Sequence, residues 1–141
     1  MSQENVQVVR AGVEAWNRND LDGLLAVYDP EVEFHTSGVF PDFDAVYRGH
    51  DGIARFWEAM HEPWEELRLD LERIEDFGEQ VALEFRFRAR GAGSGAEVDL
   101  RFCNAITLRD GLQHKIVASR TFDGALEVVR VSRQGARADA S

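Results

Sequence analysis

Cysteine, lysine and proline are all scarce in this chain: 141 residues hold one cysteine, one lysine and three prolines. A single cysteine, Cys103, excludes an internal disulfide and any metal site built from several thiolates. Lys115 is the only lysine among 16 basic residues, which reads as a bias of base composition with no functional message. No stretch of 18 apolar residues occurs, so no membrane-spanning helix is expected. The opening MSQENVQVVR has no apolar run, so no signal peptide is expected and the cytoplasm is the expected compartment. Positive charge is short as well, with 26 acidic side chains against 16 basic ones and a net charge of −10. Such a chain repels phosphate, which argues against nucleic acid and against an anionic membrane surface as partners.

What is present is an ordinary globular composition, 44% apolar and 30% charged. The length suits one domain, taken as residues 1–130, with 131–141 as an unstructured tail. A chain of this mass buries roughly two-thirds of its surface, enough for a core without staples. The charge is uneven. Residues 1–70 carry 15 acidic and 5 basic side chains, a net of −10, while residues 71–141 carry 11 of each, a net of zero.

The first half has helical spacing. Val6, Val9, Val13 and Trp16 recur at three- and four-residue steps and predict a helix from about Gln3 to Arg18. Leu21, Leu24, Leu25 and Tyr28 predict a second, short helix with Asp20 as N-cap, stopped by Asp29-Pro30. Glu31 to Thr36 alternates, with Val32 and Phe34 on one face and Glu33 and His35 on the other. After a loop from Ser37 to Ala45, Ile53, Phe56, Trp57 and Met60 mark a third helix over about 52–61, ended by Pro63.

The second half has strand spacing. Leu67, Leu69 and Leu71 alternate with polar residues, as do Val81 to Ala89 and Val98 to Leu108. Lys115 to Phe122 predicts a last strand, and Asp123 to about Val129 a terminal helix. If the two longest strands pair so that residue numbers sum to 185, Arg88 faces Glu97, Arg86 faces Asp99 and Glu84 faces Arg101. All three are opposite-charge pairs on one face. Helices followed by a strand meander predict an α+β fold and argue against a Rossmann or barrel topology.

The runs ENVQVVRAGVEAWNRNDLDGLLAVYDPEVEFH, YRGHDGIARFW and RFCNAITLRDG resemble the SnoaL-like proteins of the nuclear transport factor 2-like superfamily, which also holds ketosteroid isomerases, scytalone dehydratases and limonene epoxide hydrolases. The resemblance covers about Glu4 to Val129. It implies a cone-shaped, strongly curved mixed or antiparallel sheet wrapped around three helices, an apolar pocket at the wide end, and a homodimer through the outer sheet face. Carried over by position, the first-helix tyrosine of the ketosteroid isomerases falls on Gly12. Their base falls on Thr36, or on His35 with a one-residue slip, and their oxyanion-hole aspartate falls near Asn104. Steroid isomerisation by those groups is therefore disfavoured.

The remaining candidates for chemistry are His35 as a base, Asn104 as a hydrogen-bond donor to an oxyanion, and Arg120 as a partner for a carboxylate or enolate. Trp16, Tyr28, Phe40, Trp57 and Phe102 are the candidate pocket aromatics, with Phe40 in a loop placed to cover the pocket. His50-Asp51 and His61-Glu62 lack metal-ligand spacing and read as solvent-facing helix ends. Gly91, Gly93 and Gly95 lead into a strand, not a helix, so they form no dinucleotide loop. Ser119 and Cys103 lack a nucleophile's setting and fall on the polar outer face. No metal or cofactor is expected. Two functions remain: an enzyme of cyclase, isomerase or dehydratase type acting on a small apolar or aromatic molecule, or a non-catalytic binding or dimerisation module. A cavity of roughly 300 Å³ or more with Asn104 and His35 both facing in marks the first. The acidic first half is expected around the pocket entrance, where it disfavours anionic ligands.

Overall fold

Alternation of apolar and charged residues at period two builds one sheet, and the amphipathic helices pack against its two faces. The structure, a computed structural model, describes residues 2–40 and 42–140. In chain order the elements are α1 (Ser2–Asn17), α2 (Leu21–Ala26), β1 (Tyr28–His35), β2 (Val46–Arg48), α3 (Gly49–His61), β3 (Trp64–Asp76), β4 (Gln80–Gly91), β5 (Glu97–Arg109), β6 (Leu112–Ser119) and α4 (Phe122–Ala140). The six strands form one curved, open sheet in the order β2-β1-β6-β5-β4-β3. Among the described residues only the β1–β6 pair is parallel, so the sheet is mixed. Helices α1, α2 and α3 pack on the inner face and close the main core. This is the expected α+β architecture of a curved sheet around three helices.

The expected helix starts and stops hold with small shifts. Asp20 caps α2, its carboxylate accepting from Gly23 N–H at 2.9 Å. Tyr28, expected on the last turn of α2, instead opens β1. Pro30, expected to break a helix, sits where the β1–β6 register shifts between Tyr28 and Glu33. A missing N–H is tolerated at such an irregularity. Strand β2 is only three residues long, too short for any periodicity to reveal. Gly49 turns β2 into α3 at φ +69°, where an added Cβ would also press on the Pro30 carbonyl at 3.3 Å.

The β4–β5 register is a correction. The strands pair with residue numbers summing to 187, so Arg90 faces Glu97, Arg88 faces Asp99 and Arg86 faces Arg101. The charge test that favoured the other register left out β3, whose acids serve the same arginines. Arg101 bonds Glu72 at 2.6 Å, Arg90 bonds Glu66 at 2.8 Å, and Arg88 bonds Asp70. Arg86 reaches diagonally to Asp99 at 2.9 Å. Three strands share the charge matching, so no two-strand test could settle it.

The terminal helix is also longer than expected. α4 runs to Ala140, where sequence spacing ended the helix near Val129 and left the rest unstructured. It lies on the outer sheet face, where Phe122, Ala125 and Val129 cover Ala82, Cys103 and Ala105. Cys103 therefore faces outward as its parity requires, yet is buried, not solvent-facing. At the other end of the sheet, the free edge of β3 meets α1. The Asn17 amide donates to Leu69 O at 2.7 Å and its carbonyl accepts from Leu69 N–H at 2.9 Å, as a neighbouring strand would.

Candidate functional site

The inner face and the three helices enclose an apolar cavity. Strand parity selects what faces it from β4 and β5, namely Phe85, Phe87, Phe102, Asn104 and Ile106, and β6 adds Gln113 and Ile116. From the helices come Gly12, Val13, Trp16, Ile53, Phe56 and Trp57. It leaves about 50 Å³ for the centres of water-sized molecules. One water needs about 10–15 Å³ on that measure, so the cavity admits several waters or one small ring. This is below the expected 300 Å³.

All five expected aromatics, Trp16, Tyr28, Phe40, Trp57 and Phe102, line the cavity. Phe40 reaches in from the loop after β1, edge-on to Phe56 at 5.9 Å and to Phe102 at 5.4 Å. That loop is tied at its base by Thr36, whose hydroxyl donates to Asp44 O at 2.7 Å. It turns through left-handed backbone at Ser37 and Gly38. At the α1–α3 end, Trp16 stacks on Trp57 with ring centres 4.5 Å apart.

Of the three candidate catalytic groups, the cavity receives only Asn104. The residue is 92% buried, and among the described residues its Oδ1 has no hydrogen-bond partner. His35 lies on the opposite face of β1, half-buried, with Nε2 3.0 Å from the Glu33 carboxylate. That contact, helped by Arg48, holds Glu33 below the usual carboxylate range. His35 thus serves an outer-face ion pair and is out of reach of a ligand in the cavity. Arg120 is exposed and donates to Gly38 O at 3.0 Å, clasping the Phe40 loop from outside. Thr36, the alternative base position, is buried and committed to the loop.

Two residues escaped the sequence reading. Gln113 is 98% buried and faces the cavity. The last strand was expected to start at Lys115, and a register shift opposite Thr107–Leu108 leaves His114 without a β5 partner. That bulge turns Gln113 to the same side as Ile116, against simple alternation. His61, read as a solvated helix end, stacks on Trp16 at 4.9 Å and lies tilted against Trp57 at 4.4 Å. Its Nδ1 donates to Trp57 O at 2.8 Å, which leaves Nε2 as an acceptor.

Among the described residues, no aspartate, glutamate, histidine, lysine, arginine or cysteine lines the cavity. The one ionisable group there is the Tyr28 phenol, which burial pushes well above its ordinary range and keeps protonated. The cavity therefore favours neutral molecules, and its polar contacts are amides and a phenol. Among the described residues, no group of three or more His, Cys, Asp or Glu could hold a metal ion, and no helix is long and apolar enough to cross a membrane.

A model of the SnoaL-like domain matches residues 9–118. Among solved structures, an NTF2-like protein of unknown function from Burkholderia pseudomallei is 26% identical, over 90% of this chain and 95% of its own, with a TM-score of 0.75. TerC, co-crystallised with polyporic acid, is 19% identical over 90% of this chain and 98% of its own, with a TM-score of 0.75. A candidate SnoaL-like polyketide cyclase from a Jannaschia species is 19% identical over 83% of this chain and 85% of its own, with a TM-score of 0.70. At that identity the last two show a shared fold alone. No curated protein matches.

Proposed function

The chain belongs to the SnoaL-like family, and from that premise we propose that it holds one small, neutral, apolar or aromatic molecule in its cavity, with Asn104 as a polar contact. The observation that carries this reading is the unpartnered Asn104 Oδ1 in a wall of apolar side chains. A buried acceptor without a donor costs about 1–3 kcal/mol, a cost that a ligand hydroxyl removes. The acid-base groups first considered for catalysis, His35 and Arg120, do not contribute to the cavity. Binding is therefore the function supported best. The test is a titration of phenol and toluene against the protein and its Asn104→Leu variant, followed by Trp16 and Trp57 fluorescence. Phenol should bind the wild type about tenfold tighter than toluene, and the variant should lose that difference. Failure of both rings to bind sinks the reading.

A second reading, proton transfer on the bound molecule, draws on His61. Its ring lies outside the cavity, behind two tryptophans that line it, so this reading requires Trp16 and Trp57 to part; in the neutral ring Nε2 is left as an acceptor. Asn104 Nδ2 would then donate to the developing oxyanion. Deuterium exchange at the α-carbon of cyclohexanone tests it: exchange faster than buffer that drops in His61→Gln supports it. Equal exchange with and without protein removes it and leaves the binding reading intact.

A further inference from the structure

We infer that the α2 end of the cavity is a second polar subsite, formed by Tyr28 and Gln113, and that the ligand is a neutral two-ring molecule carrying a hydroxyl or carbonyl at each end. The inference rests on the ligand-binding reading and names the class of molecule bound. Gln113 is 98% buried, and its amide enters none of the hydrogen bonds found among the described residues while it faces the cavity. Tyr28 is 92% buried and lines the same cavity. Burial alone raises its phenol, with no hydrogen-bond partner acting on it. The two are direct partners in the parallel β1–β6 ladder, so both side chains leave the sheet on one face. Opposite them, α1 carries no side chain: a Cβ added at Gly12 would come within 3.1 Å of the Gln113 amide nitrogen. The helix is bare where these groups need room.

Separation from Asn104 sets the length of the ligand. Asn104 lies opposite Ala118, and Gln113 lies opposite Leu108. Four residues of β5 at about 3.3 Å each put the two amides roughly 13 Å apart at the backbone. One ring cannot meet both, whereas two fused rings with a polar group at each end can. An amide and a phenol both donate and accept, so they suit hydroxyls or carbonyls, and the lining offers no countercharge for an ion. The second ring would lie between the two amides, along Ile106 and Ile116, where the cavity of about 50 Å³ must widen to take it.

Calorimetric titration with naphthalene, 2-naphthol and 2,6-dihydroxynaphthalene tests this. Each hydroxyl should tighten wild-type binding about tenfold. Gln113→Leu should retain naphthalene binding and bring the diol to the level of the mono-alcohol, and Tyr28→Phe should do so in part. Gly12→Ala, which crowds the Gln113 amide without removing it, should weaken the diol selectively, and thermal melting of each variant separates this from loss of fold. A diol that binds wild type no tighter than 2-naphthol overturns the inference, as does Gln113→Leu with an unchanged diol-to-naphthol ratio. In either case naphthalene binding leaves the ligand-binding reading standing. Binding by none of the three compounds removes both.

Discussion

The two faces of the sheet come from the same strands, one residue out of step, and they treat polar groups in opposite ways. On the outer face the arginines of β4 and β5 have partners: Arg86 with Asp99, Arg101 with Glu72, Arg90 with Glu66, Arg88 with Asp70. On the inner face polar groups are few, and Asn104 Oδ1 has none. A face whose polar atoms are satisfied needs nothing further, whereas a buried unsatisfied amide is tolerated only where something else offsets it. The contrast therefore locates function on the inner face, although the outer face carries far more chemistry by count of charges.

Substitutions can break that contrast, beginning with the core. Leu83 on the inner face is fully buried, and Leu83→Ala should lower the unfolding free energy by about 2–5 kcal/mol in urea denaturation. Next in size is the α4 seat. Ala125 is fully buried against the outer face, and Ala125→Glu should cost about 1–3 kcal/mol by overpacking and burial of a charge. A disulfide reagent at pH 8 reports the same event. Burial pushes the Cys103 thiol up to about 11, so it is inert in the wild type and becomes reactive once α4 is displaced. An unreactive Cys103 in that variant would mean that α4 is not what shields it.

Asn104→Leu should act with the opposite sign. Removing an unpartnered buried amide should raise stability by about 1 kcal/mol while abolishing discrimination between phenol and toluene. A destabilised variant would show that Asn104 is satisfied in solution by some other group.

Acid should probe the outer face. The Glu31 N–H and Arg109 hold Asp29 below its ordinary range, and the Arg86 guanidinium does the same for Asp99. Carboxylates with depressed folded values contribute stability above about pH 4 that is lost as pH falls through the folded values. The melting temperature should thus be flat from pH 7 to about 5 and drop below about 4. The smallest effect is expected from Arg86→Gln, which should leave neutral-pH stability within error and shallow the acid limb slightly. A large loss at neutral pH would assign the outer lattice a structural weight that exposed ion pairs seldom have. The uncovered part of this lattice is also where we propose a homodimer contact. Sedimentation at rising salt tests it, with dissociation expected as the pairs are screened.

How far the site could be read from the sequence depended on parity. Alternation in β1, β4 and β5 is unbroken across the residues that matter, so Phe102 and Asn104 could be assigned inward and Glu33 and His35 outward. The family likeness pulled His35 toward the pocket against its own parity, and parity prevailed. Gln113 was hidden by the bulge at His114, because one extra residue reverses the face of everything before it. His61 was hidden for a different reason: Trp57 stands four residues before it on α3, a spacing that could have flagged the pair, but its stacking on Trp16 crosses to α1 and leaves no trace in spacing. The register of β4 on β5 failed because a third strand shared the charges.

Strand β3 is 13 residues long and lies at the edge of the sheet. Its backbone could template another chain, and the doubled hydrogen bond from Asn17 to Leu69 occupies that edge near its middle. One side chain on a helix thus does what a seventh strand would do, without extending the sheet. At high concentration, a chain without the Asn17 amide should be more open to aggregation, because the first strand to arrive at Leu69 could belong to another molecule.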